Sequence, residues 1–441
     1  MNWRYHPDLL ARPVPRYTSF PTAAEFGDGM KPADMAEALA GVRDDEEVSL
    51  YLHVPYCREL CWYCGCNTGA ANRDARLAAY VTRLGQEIDR VARALDGRGR
   101  LSRIAWGGGS PDALAPEQFD ALMARLADAF PRTGASISIE LDPRGFDAHW
   151  AERVARHGIR RVSLGVQTFD DGIQRAIGRV QPTAAIACAV SRLRASGVSS
   201  LNFDLMYGLP GQSSRELRET LDTAVSLGPD RLAVFGYAHV PHLIPRQRQI
   251  DASELPGAAQ RFAQAELAHG RLTADGYQPV GFDHFARPDD PLGQASRTGG
   301  LRRNFQGFTD DSARVLIGLG ASSISVFPHV LLQNEKNAGR YHLRIANDGF
   351  ATSRGIRRSP LDQRRAAAIE SLLCTGSANL EGMPDLSDIR DALQPFVDRD
   401  LAEWRAAVLT TSGQASPYLR SMAATIDPYR SGGTSRFSSA V

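Results

Sequence analysis

The chain has 441 residues, 43% hydrophobic and 23% charged, enough to bury a full core and ordinary for a soluble globular enzyme. A net charge of +1 gives no reason to expect nucleic acid or an acidic membrane surface as partner. No run approaches the roughly 18 apolar residues needed to span a bilayer, and the start Met-Asn-Trp-Arg-Tyr-His lacks the apolar core of a secretory signal, so a cytoplasmic address is expected.

Six short apolar runs follow in chain order: Ser49–Val54, Arg103–Trp106, Ser136–Leu141, Arg161–Gln167, Asn202–Tyr207 and Arg231–Ala238. Between them the period becomes helical. Leu77, Tyr80, Val81, Leu84, Ile88, Val91 and Leu95 share one face, as do Phe119, Leu122, Met123, Leu126 and Phe130. Ser213 and Glu216 form a capping box ahead of Leu217, Leu221 and Val225. Such strand–helix alternation predicts a parallel sheet, open or curled into a barrel. Asp283 to Gly307 reads as a long polar loop, too aromatic for a linker. From about residue 360 the pattern is helical and Arg-rich, and past Tyr429 it reads as a mobile tail.

Four of six cysteines lie within ten residues: Cys57, Cys61, Cys64 and Cys66. In a reducing compartment such a cluster argues for metal rather than disulfides. Thiolates four and three residues apart can wrap three corners of a 4Fe–4S cubane and leave one iron open. A zinc site would want a second Cys or His pair at a distance, and a fourth thiolate at Cys66 would strain the loop. A fortuitous surface cluster is the blandest option. An open iron can chelate the amino and carboxylate groups of S-adenosylmethionine beside a one-electron donor. Cys188 and Cys374 read as buried small hydrophobes.

The remaining motifs sit at strand ends. Gly107-Gly108-Gly109-Ser110 lets a ligand approach the backbone closely. Glu140, Gln167 and Asp204 are polar residues at or near the ends of successive strands, where barrel active sites are built, and Tyr237 and His239 extend the series. Each alone is better read as a hydrogen-bonded end residue; their recurrence favours a site. His6, His149 and His269 read as surface residues.

With these motifs the chain resembles the oxygen-independent coproporphyrinogen III oxidase family of radical S-adenosylmethionine enzymes. The matching text runs from Pro15-Arg-Tyr-Thr-Ser-Phe-Pro-Thr through the cysteine loop, Trp-Gly-Gly-Gly-Ser, Glu140-Leu-Asp-Pro-Arg, Gly165-Val-Gln-Thr-Phe, Asp204-Leu-Met-Tyr-Gly-Leu-Pro and Tyr237-Ala-His. It continues through Asp283-His-Phe-Ala-Arg-Pro-Asp-Asp, Arg303-Asn-Phe-Gln-Gly and Gly318-Leu-Gly-Ala-Ser-Ser-Ile-Ser, nearly the whole chain. The resemblance implies a partial (β/α)6 barrel at residues 46–355. An N-terminal segment (1–45) would cover its mouth, with a helical C-terminal domain (356–430) and a tail (431–441).

It also implies cluster ligation by Cys57, Cys61 and Cys64. Tyr51, Gly108, Glu140 and Ile324 match contacts of the cluster-bound S-adenosylmethionine. Tyr63, Gly109, Ser110, Gln167, Arg179, Asp204 and Ala238 match contacts of a second S-adenosylmethionine. Ser110 stands where the family usually has Thr, and Tyr63 where Phe is common. Cys66, Tyr51 and Glu140 are the candidates for catalytic roles. The implied reaction converts two propionates of coproporphyrinogen III to vinyls, giving protoporphyrinogen IX in haem biosynthesis. Each conversion removes a hydrogen atom, carbon dioxide and one electron, so a low-potential donor and an acceptor are implied partners, with a monomer sufficing. The four carboxylates of the substrate call for guanidinium partners, for which Arg16, Arg287 and Arg303 are candidates. Two other readings share the scaffold, a haem-binding chaperone and a haem-opening methyltransferase. Against the chaperone stand Cys66-Asn67, the N-terminal segment and the Arg-Asn-Phe-Gln-Gly loop.

Overall fold

The computed structural model describes residues 3–130 and 134–432. Its centre is a six-stranded parallel sheet: β1 (Glu47–Val54), β2 (Arg100–Gly108), β3 (Ser136–Leu141), β4 (Arg161–Gln167), β5 (Ser200–Tyr207) and β6 (Arg231–Gly236). Neighbours in sequence are neighbours in the sheet, each pair parallel. These are the six apolar runs, lengthened by two or three residues at some ends and shortened by two at the last. Helices link them, including Asp74–Leu95, Pro116–Ala129 and Ser214–Ser226, the last opened by the Ser213–Glu216 capping box.

Six antiparallel or mixed strands extend this sheet to twelve. On one edge lie β7 (Gln278–Val280) and β8 (His284–Ala286), with β8 antiparallel to β6. On the other lie β9 (Val315–Leu319), parallel to β1, then β10 (Ile324–Phe327), β11 (Val330–Asn334) and β12 (Thr352–Arg357). The order β12-β11-β10-β9-β1-β2-β3-β4-β5-β6-β8-β7 leaves two edges, so the barrel is partial and open. The presumed loop from Asp283 is in fact ordered into β8, a helix Pro291–Thr298 and a hairpin of Arg302–Asn304 with Gly307–Thr309.

Strand alternation divides the molecule chemically. Leu50, Leu52, Ile104, Trp106, Ile139, Leu164, Phe203 and Leu232 face the helices and form the main core. The alternate positions Tyr51, His53, Ser138, Glu140, Ser163, Asn202 and Asp204 face the barrel interior and give it a polar lining, with a cavity of about 290 Å³. At the floor, Arg161 holds Asp310 with both guanidinium nitrogens (2.6 and 2.7 Å), and Arg103 adds a third contact at 2.9 Å.

The C-terminal region is helical as expected (Pro360–Thr375, Leu386–Val397, Leu419–Thr425) and adds a three-stranded antiparallel sheet that the Arg-rich pattern hid. With it pack Trp3, Leu10, Val14, Tyr17 and Phe20 of the N-terminal segment, in a second core. The expected mobile tail lies, from residue 433, outside the described residues. Cys374 is buried, but Cys188 is exposed on the helix Thr183–Ala195, correcting its reading as a core residue. His149 is exposed, whereas His269 is half-buried with its ring 4.9 Å from that of Trp3, and His6 packs on Tyr418.

Candidate active site

The cysteine loop leaves β1 at the carboxyl end of the barrel. Tyr56–Cys57 pair with Gly69–Ala70 at its base, and Trp62 N–H donates to the Ile177 carbonyl at 3.0 Å. Gly178, at φ +64°, is required there: a side chain would strike the Trp62 ring. Cys61 is buried, Cys57 and Cys64 are half-buried, and Cys66 is exposed. Burial, reinforced by Cys64 and Cys61, pushes the Cys57 thiol up to about 12. Hydrogen bonding from Cys66 pulls Cys64 down, while the same bond holds Cys66 up.

Arg179 Nη1 donates to Cys61 Sγ at 3.2 Å and Arg144 Nη2 at 3.5 Å, and both guanidiniums also grip Asp142. Two guanidiniums thus bracket the Cys61 sulfur. Among the described residues no three His, Cys, Asp or Glu side chains converge on a point suited to a single ion. Three thiols on one loop, one of them held by two arginines, fit the corners of a multi-iron cluster. Asp142 and Arg144 were missed as site residues although both lie in the quoted Glu140-Leu-Asp-Pro-Arg segment.

Beside the loop, Tyr51 OH meets His53 Nδ1 at 3.2 Å, and His53 Nε2 meets Ser322 Oγ at 3.3 Å. Burial lowers His53 to about 4, which keeps the imidazole neutral between these hydroxyls. Gly108, at φ +113°, lies over that ring, where a Cβ would come within 2.6 Å. Its N–H points at Glu140 Oε2, 3.4 Å away. Burial, then the charge of Asp204, raises Glu140 to about 7. Tyr51 pairs in register with Gly318, against which Ile324 packs its backbone. The hairpin tip adds Phe305, edge-on to Tyr51 at 4.6 Å, and Gln306, which lines the barrel cavity. Behind His53, Tyr80 OH donates to its carbonyl at 2.7 Å. Glu87 there accepts from Gly320 N, Asn334 and Tyr341.

The second predicted contact group lines the adjoining wall. Gln167 is buried at φ +67°, a strained backbone position for a residue with a Cβ. Asp204 accepts from Ser163 and Asn202 at 2.9 and 2.8 Å. Gly109 lies so close to the Tyr56 backbone that no Cβ would fit, and Ser110 Oγ donates to buried Asp112. Gln247 Nε2 ties the carbonyls of Tyr63 and Ala238 together at 2.9 and 3.0 Å. The structure therefore gathers both groups around one mouth.

Comparison with known proteins is then decisive. Residues 51–224 match the radical SAM superfamily. An oxygen-independent coproporphyrinogen III oxidase of Paracoccus denitrificans is 40% identical over 424 residues, 94% of each chain. This chain belongs to the oxygen-independent coproporphyrinogen III oxidase family. Its counterpart in Bradyrhizobium diazoefficiens is 40% identical over 437 residues, 97% of each chain. The solved coproporphyrinogen III oxidase HemN of Escherichia coli, described as a radical SAM enzyme, superposes with a TM-score of 0.91 at 33% identity. That alignment covers 97% of this chain and 100% of the other. Membership in the radical SAM family implies a 4Fe–4S cluster and S-adenosylmethionine as cofactors.

Within this oxidase-family fold the three candidate arginines part company. Arg16 reaches the rim, donating to the Gly236 carbonyl at 2.9 Å and lying 5.1 Å from the Phe235 ring. Arg303 sits behind it, sandwiched by Phe282 and Phe308 and donating to the Arg16 and Tyr17 carbonyls. Arg287 is at the opposite end. Because β8 runs antiparallel, Arg287 falls beside Asp230 at the barrel floor, stacked 4.0 Å from the Tyr277 ring with Nη1 on the Asp275 carbonyl at 2.7 Å. It is a structural residue and is withdrawn from the substrate site.

Proposed function

We propose that the protein oxidatively decarboxylates two propionates of coproporphyrinogen III to vinyl groups, yielding protoporphyrinogen IX. The family match over 94% and 97% of the chain carries this reading, since it spans the cysteine loop, the polar barrel and the C-terminal region together. Bound there, the cluster and S-adenosylmethionine would supply the radical chemistry that removes hydrogen from the propionate.

The chain's own residues hold and shield this chemistry. Cys57, Cys61 and Cys64 ligate the cluster. Tyr51, Gly108, Glu140 and Ile324 would hold the first S-adenosylmethionine. Tyr63, Gly109, Ser110, Gln167, Arg179, Asp204 and Ala238 hold a second one. Phe305 and Gln306 close the mouth over Tyr51 and exclude water. Cys66 stands within electrostatic reach of Tyr51 and Glu140, positioned to act on the substrate itself. Arg16 at the rim faces substrate carboxylates, and Arg303 behind it holds the Arg16 carbonyl.

Each vinyl formed releases one electron, so an acceptor and a separate low-potential donor act on the enzyme. We place it in the cytoplasm, where thiols stay reduced, as a monomer divided at residues 45, 355 and 430. Among the described residues no helix is long and apolar enough to cross a membrane. Anaerobic incubation of reconstituted protein with coproporphyrinogen III, S-adenosylmethionine and a low-potential reductant should yield protoporphyrinogen IX, carbon dioxide and deoxyadenosine. Deoxyadenosine without protoporphyrinogen would overturn the substrate and keep the cofactors.

A further inference from the structure

The buried face of the helix Asp74–Leu95 carries two polar side chains, Tyr80 and Glu87, among Leu77, Leu84, Ile88 and Val91. They stand seven residues apart, about two helical turns, and so project from the same side. Both reach the turn Gly320–Ser323, which joins β9 to β10. Tyr80 OH donates to the His53 carbonyl at 2.7 Å and accepts from Ala321 N–H at 3.0 Å. Glu87 Oε2 accepts from Gly320 N–H at 2.6 Å and from Tyr341 OH at 2.8 Å, while Oε1 accepts from Asn334 Nδ2 at 2.7 Å. Asn334 donates onward to the Gly320 carbonyl at 3.0 Å and to Ser323 Oγ at 3.2 Å.

The turn is held in a conformation it would not choose alone. Ser322 sits at φ +65°, a costly position for a residue with a Cβ. Gly320, at φ +95°, has no room for a Cβ, which would meet the His53 carbonyl and the Tyr80 hydroxyl at 2.5 Å. This conformation aims Ser322 at the site: its Oγ meets His53 Nε2 at 3.3 Å, and His53 Nδ1 meets Tyr51 OH at 3.2 Å. The residue that follows the turn is Ile324. Burial holds the Glu87 carboxyl above its ordinary value although three groups donate to it. A carboxylate among leucines is a poor choice for stability alone. What it supplies is a fixed place for Gly320 N–H and Asn334.

We propose that Tyr80 and Glu87 are positioning residues for S-adenosylmethionine. They fix the Gly320–Ser323 turn so that Ser322, through His53, orients the Tyr51 hydroxyl and Ile324 keeps its place beside it. The inference rests on the contacts proposed above for the first S-adenosylmethionine, and adds two residues that act on them from behind. Side chains that must hold a ligand need their own rotamers locked by a supporting layer, and a hydrogen-bonded layer within the core does this with little freedom left to lose. One helix face thereby serves both strands, β1 through the His53 carbonyl and β10 through the turn that leads into it.

The test is equilibrium dialysis of the reconstituted holoenzyme against S-adenosylmethionine, beside fluorescence titration with coproporphyrin III, the stable oxidised form of the substrate. Tyr80→Phe keeps the ring, edge-on to Tyr56 at 5.3 Å, and removes only the hydroxyl. It should weaken S-adenosylmethionine at one of the two proposed sites by roughly tenfold, the scale of one hydrogen bond, and leave coproporphyrin III affinity unchanged. Glu87→Leu should lose S-adenosylmethionine affinity likewise, and Glu87→Gln, which still accepts from Gly320 N–H, should recover most of it. Unchanged S-adenosylmethionine affinity in Tyr80→Phe, or equal losses for both ligands, overturns the proposal and makes the pair part of the core only. If Glu87→Leu does not load its cluster, Tyr80→Phe decides alone. Wild type that fails to bind S-adenosylmethionine sinks the contact assignment and this inference together; wild type that binds it but makes no protoporphyrinogen sinks the substrate reading alone.

Discussion

Glu140 carries a cost that only a ligand justifies. It faces Asp204 across the polar barrel, and burial plus that charge raise its carboxyl to about 7 from an ordinary 4.5. Between those values the folded chain keeps a proton that the unfolded chain has released, so stability falls as pH rises through that window. Above pH 7 the full penalty stands. Glu140→Gln should therefore stabilise the apoprotein by about 1–3 kcal/mol at pH 8 and by little at pH 4, while weakening S-adenosylmethionine binding. Urea unfolding at both pH values checks it, and a less stable variant at pH 8 would refute the argument. The bond from Gly108 N–H survives in the amide, so the change isolates the charge.

At the scale of elements, the barrel floor is closed by the stretch after the hairpin. Asp310 is buried, which would raise its carboxyl, but hydrogen bonds from Arg161 and Arg103 prevail and hold it far below the usual range. Its contribution is present above the ordinary value of 3.8 and is lost as pH falls toward the folded one. Asp310→Asn leaves two buried guanidiniums without their anion and should cost about 3–5 kcal/mol at pH 7, with the difference shrinking below pH 4. A loss under about 1 kcal/mol by urea unfolding would mean that the floor is a solvated ion pair.

These elements also mark what the sequence discloses. β1 to β6 were legible because each has an apolar outer face long enough to read, and the polar inner residues at their ends pointed to the site. β7 to β12 run three to six residues, many amid polar text, and their pairing is set by tertiary contact rather than local pattern. Arg287 illustrates the consequence. A motif can name a residue, but only the direction of β8 decides that it goes to the floor while Asp283 and His284 stay near the rim and cavity. The cysteine loop was legible from its spacing, and Glu140 from its place at the end of an apolar strand.

At the scale of the whole molecule, the N-terminal segment joins the barrel to the C-terminal region. Tyr17 OH donates to Asp427 at 3.0 Å, Trp3 N–H to Glu266 at 2.6 Å and His6 N–H to Tyr418 OH at 2.9 Å. Five large side chains, Trp3, Leu10, Val14, Tyr17 and Phe20, are buried in the second core. At about 1.5–3 kcal/mol each they supply roughly 8–15 kcal/mol, comparable to the ~5–15 kcal/mol that stabilises an entire domain. Deleting residues 1–22 should therefore abolish hydrogen-exchange protection in the helices Pro360–Thr375 and Leu386–Val397, while β1 to β6, whose core is separate, keep theirs. A peptide of residues 1–22 added in trans should restore it. Because the same segment delivers Arg16 to the rim, substrate binding and C-terminal order should return together as peptide is titrated. Recovery of protection at much lower peptide concentration than recovery of binding would show that the segment staples the fold without completing the site.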